Sequence, residues 1–213
     1  MSDYITEEST IIFSPNYNKS IDYYLLRSYN KIIFSNYQMS YNLFNRYSNN
    51  NFDNLVHIYN KFNQPIELPE NITHLTFGFY FNQPIVLPEN IIHLTFGTYF
   101  NQHIELTPNI THLTFGISFN HPIVLSENIT HLTFGEYFNQ KLDLPFSIKY
   151  LKLENDFFHN VDYLPEGIKV LELGRCFNSQ LNNLPNSLLV IKLHKYCVVN
   201  LKCISSNTKI EYF

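Results

Sequence analysis

Charged residues are scarce in this chain of 213 residues, because Asp, Glu, Lys and Arg together make up only 15% of it. An average soluble domain contains about 25%. The formal net charge is −4, and no segment concentrates lysine and arginine into a basic stripe. General binders of nucleic acid or of anionic membranes need such a stripe. We therefore expect neither nucleic acid nor a membrane as a partner.

Targeting segments and a disulfide framework are also missing. The N-terminus has neither the basic start nor the apolar core of a secretory signal, and no run of 18 apolar residues follows. The three cysteines, Cys176, Cys197 and Cys203, are odd in number and lie in the last third of the chain. We expect Cys176 and Cys197 to be small core residues. These features predict a cytoplasmic protein.

Motifs of enzymes are absent from the sequence. It contains no glycine-rich phosphate loop, no His-Glu-x-x-His and no nucleophile elbow. An active site also requires unlike groups that converge on one point, whereas a repetitive chain presents the same group again and again. The sequence predicts no catalytic residue, no cofactor and no metal site.

What the chain does contain is a short repeat. Phe62-Asn-Gln-Pro-Ile recurs unchanged at Phe81 and in variant form at Phe100 and Phe119, and the Phe positions continue to Phe138 at intervals of 19 residues. A fixed short period of this kind indicates a solenoid whose coils stack on one another. A single coil would not fold, because ordering its backbone costs about 1–2 kcal/mol per residue, more than its few apolar side chains return.

Each repeat predicts one strand and one turn. In His74-Leu75-Thr76-Phe77, apolar and polar residues alternate, which is the pattern of a strand with one buried face. Strands one coil apart cannot form hairpins and must pair in parallel. The preceding Leu-Pro-Glu-Asn reads as a turn. The sequence thus predicts a mostly β protein of eight to ten coils, with under about a fifth of its residues helical.

The two ends follow the repeat less closely. Ile11-Ile-Phe and Ile32-Ile-Phe keep its internal spacing, and Val56 and Ile58 lie 19 residues before Leu75 and Phe77. We predict an N-terminal cap or diverged coils over 1–61, with an irregular insertion over 38–54, a repeat solenoid over 62–196 and a C-terminal capping coil over 197–213. A short separate helical domain, beginning near Ile21, is the alternative for the N-terminal part.

The Phe-Asn-x-Pro-Ile box, followed by Leu-Pro-x-x-Ile-x-x-Leu-x-Phe-Gly, resembles the FNIP repeat over roughly 62–196. This family is abundant in social amoebae and in the giant DNA viruses of amoebae and is regarded as a variant leucine-rich repeat. The resemblance implies a right-handed, curved leucine-rich-repeat-like solenoid with its parallel sheet on the concave face. Viral members often carry an F-box, but the Leu-Pro opening and helical leucines of an F-box are not found in residues 1–60. If the chain is viral, its compartment is the host cytoplasm.

The outward positions of the strands form regular columns, which we predict to be the interaction surface. One column contains the histidines of the repeat and continues to Tyr150, and a second contains the threonines and continues to Lys152 and Glu172. A third column, formed by Gly78, Gly97, Gly116 and Gly135, is expected to be the floor of a groove, so that Gly116→Arg should fold and block binding. Stacked histidines about 4.8 Å apart do not converge on a metal ion, and weak zinc or nickel capture is expected only as a side effect. The predicted interaction residues are His74, Thr76, His93, Thr95, His112, Thr114, His131, Thr133, Tyr150 and Lys152.

Two classes of function remain open. The first is a non-enzymatic scaffold for protein–protein interaction, with an unidentified protein held on the sheet, and we expect the scaffold itself to be a monomer. The second is a binding array for a glycan or another repetitive ligand. Uniform columns favour a repetitive ligand, whereas the change to Tyr150, Lys152 and Glu154 favours a protein with an uneven surface. The resemblance adds a third possibility, the substrate-recognition part of a ubiquitin-ligase adaptor.

Overall fold

The computed structural model describes residues 3–14, 16–34, 61–162, 164–179, 181–197, 199–200 and 204–213. Within these ranges, one sheet of 11 strands follows the order of the chain, and one four-residue helix, α1 (Tyr23–Leu26), lies between the second and third strands. The strands are β1 (Tyr4–Glu7), β2 (Thr10–Phe13), β3 (Lys31–Phe34), β4 (His74–Thr76), β5 (His93–Thr95), β6 (His112–Thr114), β7 (His131–Thr133), β8 (Tyr150–Leu153), β9 (Val170–Leu173), β10 (Val190–Leu193) and β11 (Lys209–Tyr212).

From β2 to β11 every strand pairs in parallel with the next, and equivalent residues of the repeat lie side by side. Leu75 pairs with Leu94, and Leu94 pairs with Leu113. The register survives the irregular coils of the C-terminal part, where Leu151 pairs with Leu171 and Leu171 with Ile191. The predicted solenoid, with about nine turns and one parallel strand per coil of about 19 residues, is confirmed.

The first strand departs from this pattern. β1 pairs with β2 in antiparallel orientation, through a tight turn in which Glu8 has a φ of 48°. An edge strand of a parallel sheet exposes unpaired backbone groups, which can pair with other chains. β1 covers the edge of β2, and it is the one strand of the described sheet that pairs in antiparallel orientation.

The N-terminal strands continue the same sheet. β3 pairs directly with β4, so that Ile32 lies beside Leu75. The interpretation of Val56 and Ile58 as a coil strand falls on residues outside the described ranges, as does the insertion predicted over 38–54. The place beside β4, which that interpretation assigned to Val56 and Ile58, is occupied by β3.

The aromatic anchor of the β3 coil comes from far along the chain. In the regular coils the two core rings are four residues apart, as in Phe77 and Phe81, whose centroids are 3.7 Å apart. In the β3 coil, Phe34 instead stacks on Phe62, with centroids 4.2 Å apart. Phe34 and Phe62 are 28 positions apart in the sequence, whereas the two rings of a regular coil are four apart. The β3 coil therefore contains 24 additional residues between its strand and its anchor.

Two continuous rows of Phe rings fill the interior. Rings of the row that follows the strands, such as Phe77 and Phe96, lie 5.5 Å apart, and those of the anchor row, such as Phe81 and Phe100, lie 6.1 Å apart. Phe100 is fully buried, as is Ile110 in the following turn. Each ring therefore packs on its own coil and on both neighbours, and one coil alone could not bury it.

The Asn of the Phe-Asn box joins each coil to the next, which explains why it recurs in successive coils. The Oδ1 atom of Asn82 accepts a hydrogen bond from the backbone N–H of Asn101, at 2.9 Å, and Asn101 does the same for Asn120 at 3.0 Å. The Asn of the turn forms a second row, in which Nδ2 of Asn109 donates to the carbonyl of Glu89. These side chains supply hydrogen-bond partners to backbone groups that the short strands leave unpaired, and they join each coil to the next.

One coil contains an unpaired hydroxyl. Thr107 is buried, and its Oγ1 has no hydrogen-bond partner in the described part of the chain. Leaving a buried hydroxyl unpaired costs about 1–3 kcal/mol, so Thr107→Val should raise the free energy of unfolding by about 1 kcal/mol. Chemical denaturation measures this, with Thr107→Ser as the control. A less stable Val variant would show that the hydroxyl is bound in solution.

Candidate interaction face

The strands β4 to β7 present an alternating surface. Their central leucines, such as Leu94, are at most 1% exposed, whereas the flanking His and Thr side chains point to the other side of the sheet and are partly or fully exposed. This is the two-residue alternation of a strand with one buried face. We call the outward surface the His–Thr face, which consists of His74, Thr76, His93, Thr95, His112, Thr114, His131 and Thr133.

The four imidazoles of this face form a closely stacked column. Ring centroids are 4.4 Å apart between His74 and His93, 4.1 Å between His93 and His112, and 4.2 Å between His112 and His131, with interplanar angles of 7–17°. The stack continues more loosely to Tyr150, at 6.0 Å. The spacing is shorter than that between strands, so the rings lean together into contact.

Threonines in the preceding position contact three of the four rings, those of His74, His112 and His131. The Oγ1 atom of Thr130 lies 2.9 Å from Nδ1 of His131 and 3.1 Å from the carbonyl oxygen of Thr111. Thr73 makes the corresponding pair of contacts with His74 and Asn30. A carbonyl oxygen can only accept, so the single hydroxyl proton goes to the carbonyl, and the imidazole donates from Nδ1. In this tautomer the lone pair is on Nε2.

Three of the stacked imidazoles, those of His74, His93 and His112, have a pKa below the ordinary value of histidine. Burial lowers the pKa of His74, and His93 and Lys31 lower it further. Burial likewise lowers the pKa of His112, with further contributions from His93, His131 and His74. Parallel rings direct their Nε2 lone pairs side by side and not toward one point. In the described ranges, no group of three His, Cys, Asp or Glu side chains is placed to hold a metal ion.

Beyond β7 the face changes from neutral to ionic. Lys152 lies 2.8 Å from Glu154 and 2.9 Å from Glu172, and the hydroxyl of Tyr150 donates to Glu172 at 3.0 Å. Burial and then the charge of Glu172 raise the pKa of Tyr150 to about 12. Burial alone would lower the pKa of Lys152, but its hydrogen bonds to Glu154 and Glu172 raise it above its ordinary value. Glu172 is the centre of this network, a role that its place in the column did not indicate.

At the glycine column the backbones of adjacent coils lie close together. A Cβ atom on Gly116 would lie 2.1 Å from the carbonyl oxygen of Gly97, and one on Gly97 would lie 2.0 Å from that of Gly78. Both contacts are with backbone, and no glycine in the described ranges has a positive φ. The glycines are needed because adjacent coils approach closely there. The prediction that Gly116→Arg folds and merely blocks binding is therefore wrong.

Exposed tyrosines follow the glycines in the coils of the regular repeat. Tyr80 is 42% exposed, Tyr99 is 47% exposed and Tyr137 is 52% exposed. The rings of Tyr80 and Tyr99 stack at 5.4 Å, and Phe79 packs edge-on against Tyr99 at 5.0 Å. Tyrosine is a frequent anchor in protein interfaces. Its recurrence just before the Phe anchor is a signal that the sequence analysis did not use.

The cysteines differ from one another. Cys197 is partly buried and its thiol lies 3.3 Å from the carbonyl of Phe177, in the aromatic anchor row. Cys176 is exposed, so its prediction as a core residue is wrong. It occupies the position before the anchor, where Tyr80 and Tyr99 are also exposed. Cys203 lies outside the described residues.

Asn71, Asn109 and Asn128 each begin an Asn-Ile-Thr triplet, which matches the acceptor pattern of N-glycosylation, but their side chains form structural hydrogen bonds. Nδ2 of Asn71 donates to the carbonyl of Tyr29 at 2.6 Å, and Nδ2 of Asn128 donates to that of Pro108 at 2.9 Å. Nδ2 is the atom that glycosylation would modify, and a glycan there would displace these contacts between coils. Within the described ranges, no helix has the length and hydrophobicity needed to cross a bilayer.

Comparison with known proteins supports the assignment of the repeats. A search of curated proteins finds no match. Among solved structures, the chain is similar to CroV588, described as a novel circular leucine-rich-repeat protein, with a TM-score of 0.75 and 26% sequence identity. The similarity covers 99% of this chain and 35% of that one, so the chain spans about a third of the length of CroV588.

The family model of the FNIP repeat matches five times, at residues 62–99, 81–105, 100–125, 119–156 and 160–196. These matches cover more than half of the chain and include every strand from β4 to β10. The Asn rows, the paired Phe rings and the closely packed glycines explain why Asn, Phe and Gly recur at fixed positions of the repeat. The chain belongs to the FNIP-repeat family.

Proposed function

We propose that the chain is a non-enzymatic scaffold that holds a protein partner on the outward face of its sheet. The observation that supports this most strongly is the combination of a neutral half, the His–Thr face, with an ionic half around Glu172 on one continuous sheet. A partner that covers both halves needs an uneven surface of its own, as a folded protein has. A uniform repetitive ligand would match only the neutral half.

The energetics of the face support a recognition role. His112 and Thr114 are partly exposed and lie on the opposite side of the sheet from the Phe rows. Substitutions at these two positions should therefore have little effect on the packing of the core. The neighbouring Tyr80 and Tyr99 supply large, rigid side chains of the kind that dominate binding energy. Lys152 and Glu172 are already paired with each other, and the partner need not neutralise them.

Four substitutions test the proposal. Replacing His93, Thr95, His112 and Thr114 together by Ala should reduce capture of protein partners at least tenfold, while the solenoid stays folded. The measurement is a pull-down from an extract of the source cell with quantitative mass spectrometry, together with a thermal melt. A matched variant, Val86→Ser with Val124→Ser, changes two side chains that are 89% and 88% exposed in the turn segments of their coils.

Proteins that bind the wild type and the valine variant but not the face variant are the expected result. Equal capture by all three folded proteins would contradict the proposal and direct attention to the other surfaces. Capture of glycans by the wild type, lost in the face variant, would favour the binding array for a repetitive ligand. The cytoplasm, or the host cytoplasm for a viral chain, is the compartment that we propose for the interaction.

A further inference from the structure

The His column contains four of the nine histidines of the chain, and its rings are in contact over four consecutive coils. The centroid separations of 4.1–4.4 Å leave no room for water or for a counter-ion between the rings. A cation on one ring would therefore lie directly against its neighbour. Two adjacent imidazolium rings at this distance repel each other, which limits how many of the four can be protonated while the stack persists.

The surroundings offer no compensating charge. At one end β3 places Lys31, a cation, beside His74. At the other end β8 places Tyr150, whose hydroxyl donates to Glu172, and Lys152, which pairs with Glu154 and Glu172. Beside the glycine column, Glu136 accepts a hydrogen bond from Asn155. Among the described residues no ion pair joins an imidazole of the column to a carboxylate.

Protonation would occur at a defined atom. Nδ1 of His74, His112 and His131 is within hydrogen-bond distance of a threonine hydroxyl, and the hydroxyl proton belongs to a carbonyl of the adjacent coil. The proton from solvent therefore adds to Nε2, and the Nδ1 contact is kept. What changes on protonation is the charge of the column and not its hydrogen bonds to threonine.

We propose that the His column is an acid-sensitive element of the solenoid, in which protonation of neighbouring imidazoles on mild acidification separates the stacked rings, weakens the coils of β4 to β7 and turns the His–Thr face from neutral to cationic. No bond forms or breaks other than the N–H bonds to the added protons. The proposal concerns the column itself and holds whichever partner the face binds.

The direction of the effect follows from linkage. Burial and neighbouring charges lower the pKa of His74, His93 and His112 in the folded chain, whereas in the unfolded chain each titrates near 6.5. Between pH 6.5 and the lowered values, the unfolded chain binds more protons than the folded one. Stability is therefore complete above about pH 7 and falls as the pH decreases through this window.

The test compares thermal melts at pH 7.5 and pH 5.0. The wild type should lose about 5 °C or more over this range. A variant that combines His74→Gln, His93→Gln, His112→Gln and His131→Gln should lose much less, because amide side chains can stack in ladders without titrating. The control carries His121→Gln and His159→Gln, two histidines outside the column that contact backbone carbonyls where other coils use Gln. It should behave as the wild type does.

An NMR titration of the wild-type imidazoles is the second measurement, and it needs no variant. The imidazoles of His74, His93 and His112 should titrate below pH 6.5 and over a range broader than that of a single group, since each proton hinders the next. Imidazoles of the column that titrate together near pH 6.5, or a column variant that loses as much melting temperature in acid as the wild type, would overturn the proposal.

Discussion

Replacing Phe100 by Ala should lower the free energy of unfolding by about 3–5 kcal/mol, one of the two largest effects that we expect in this chain. Phe100 is fully buried, its ring lies 3.7 Å from that of Phe96 in its own coil, and it stacks on Phe81 and Phe119 in the adjacent coils. Truncation opens a cavity that the adjacent coils cannot close without breaking the two rows.

Chemical denaturation of wild type and variant measures this loss, and His112→Ala is the matched control on the other side of the same coil. His112 is partly exposed and stacks on His93 and His131, so its removal should cost about 1 kcal/mol. Equal losses for Phe100→Ala and His112→Ala would show that the buried and outward faces are assigned the wrong way round.

The second large effect on stability is expected from the addition of a single methyl group at Gly116. Gly116→Ala should destabilise the chain by about 1–3 kcal/mol or more, because the added Cβ would lie 2.1 Å from the carbonyl oxygen of Gly97 and 2.8 Å from Cα of Thr98. Both are backbone atoms, which cannot move aside as a flexible side chain can. Two coils would have to separate locally.

Thermal and chemical melts measure the effect, with Thr114→Ala as the control in the same coil. Thr114 is partly exposed on the outward face, and its truncation should change stability by about 0.5 kcal/mol or less. An Ala at position 116 that left the melting temperature unchanged would mean that the coils are spaced more widely there than the structure has them.

The repeat period was sufficient to predict the sheet. A constant interval of 19 residues places Leu75, Leu94 and Leu113 at the same point of successive coils, and a slip of one residue between neighbouring strands would turn their core residues outward. This logic also placed Tyr150 beside His131 and Lys152 beside Thr133, as observed. The outward columns and the buried rows therefore followed from the sequence.

Features that depend on distances between coils did not follow from the period. From the sequence alone, the glycines were interpreted as the open floor of a groove. The close approach of backbones at Gly97 and Gly116 is visible only once the coils are stacked. The partner of Phe62 could not be predicted either, since Phe34 lies 28 residues earlier and local spacing pointed to Ile58. Glu172 shared a column with Lys152, but the period does not show that one carboxylate contacts both Lys152 and Tyr150.

Carbethoxylation of histidine with diethyl pyrocarbonate, read by mass spectrometry, tests the interaction face most directly. The reagent modifies neutral imidazoles, and the free protein should be modified at His74, His93, His112 and His131 as well as at His103, His121 and His159. With a partner identified by the pull-down, our account predicts that modification falls severalfold at the four column histidines and stays unchanged at the other three. Protection of His103, His121 or His159, with the column still reactive, would contradict it.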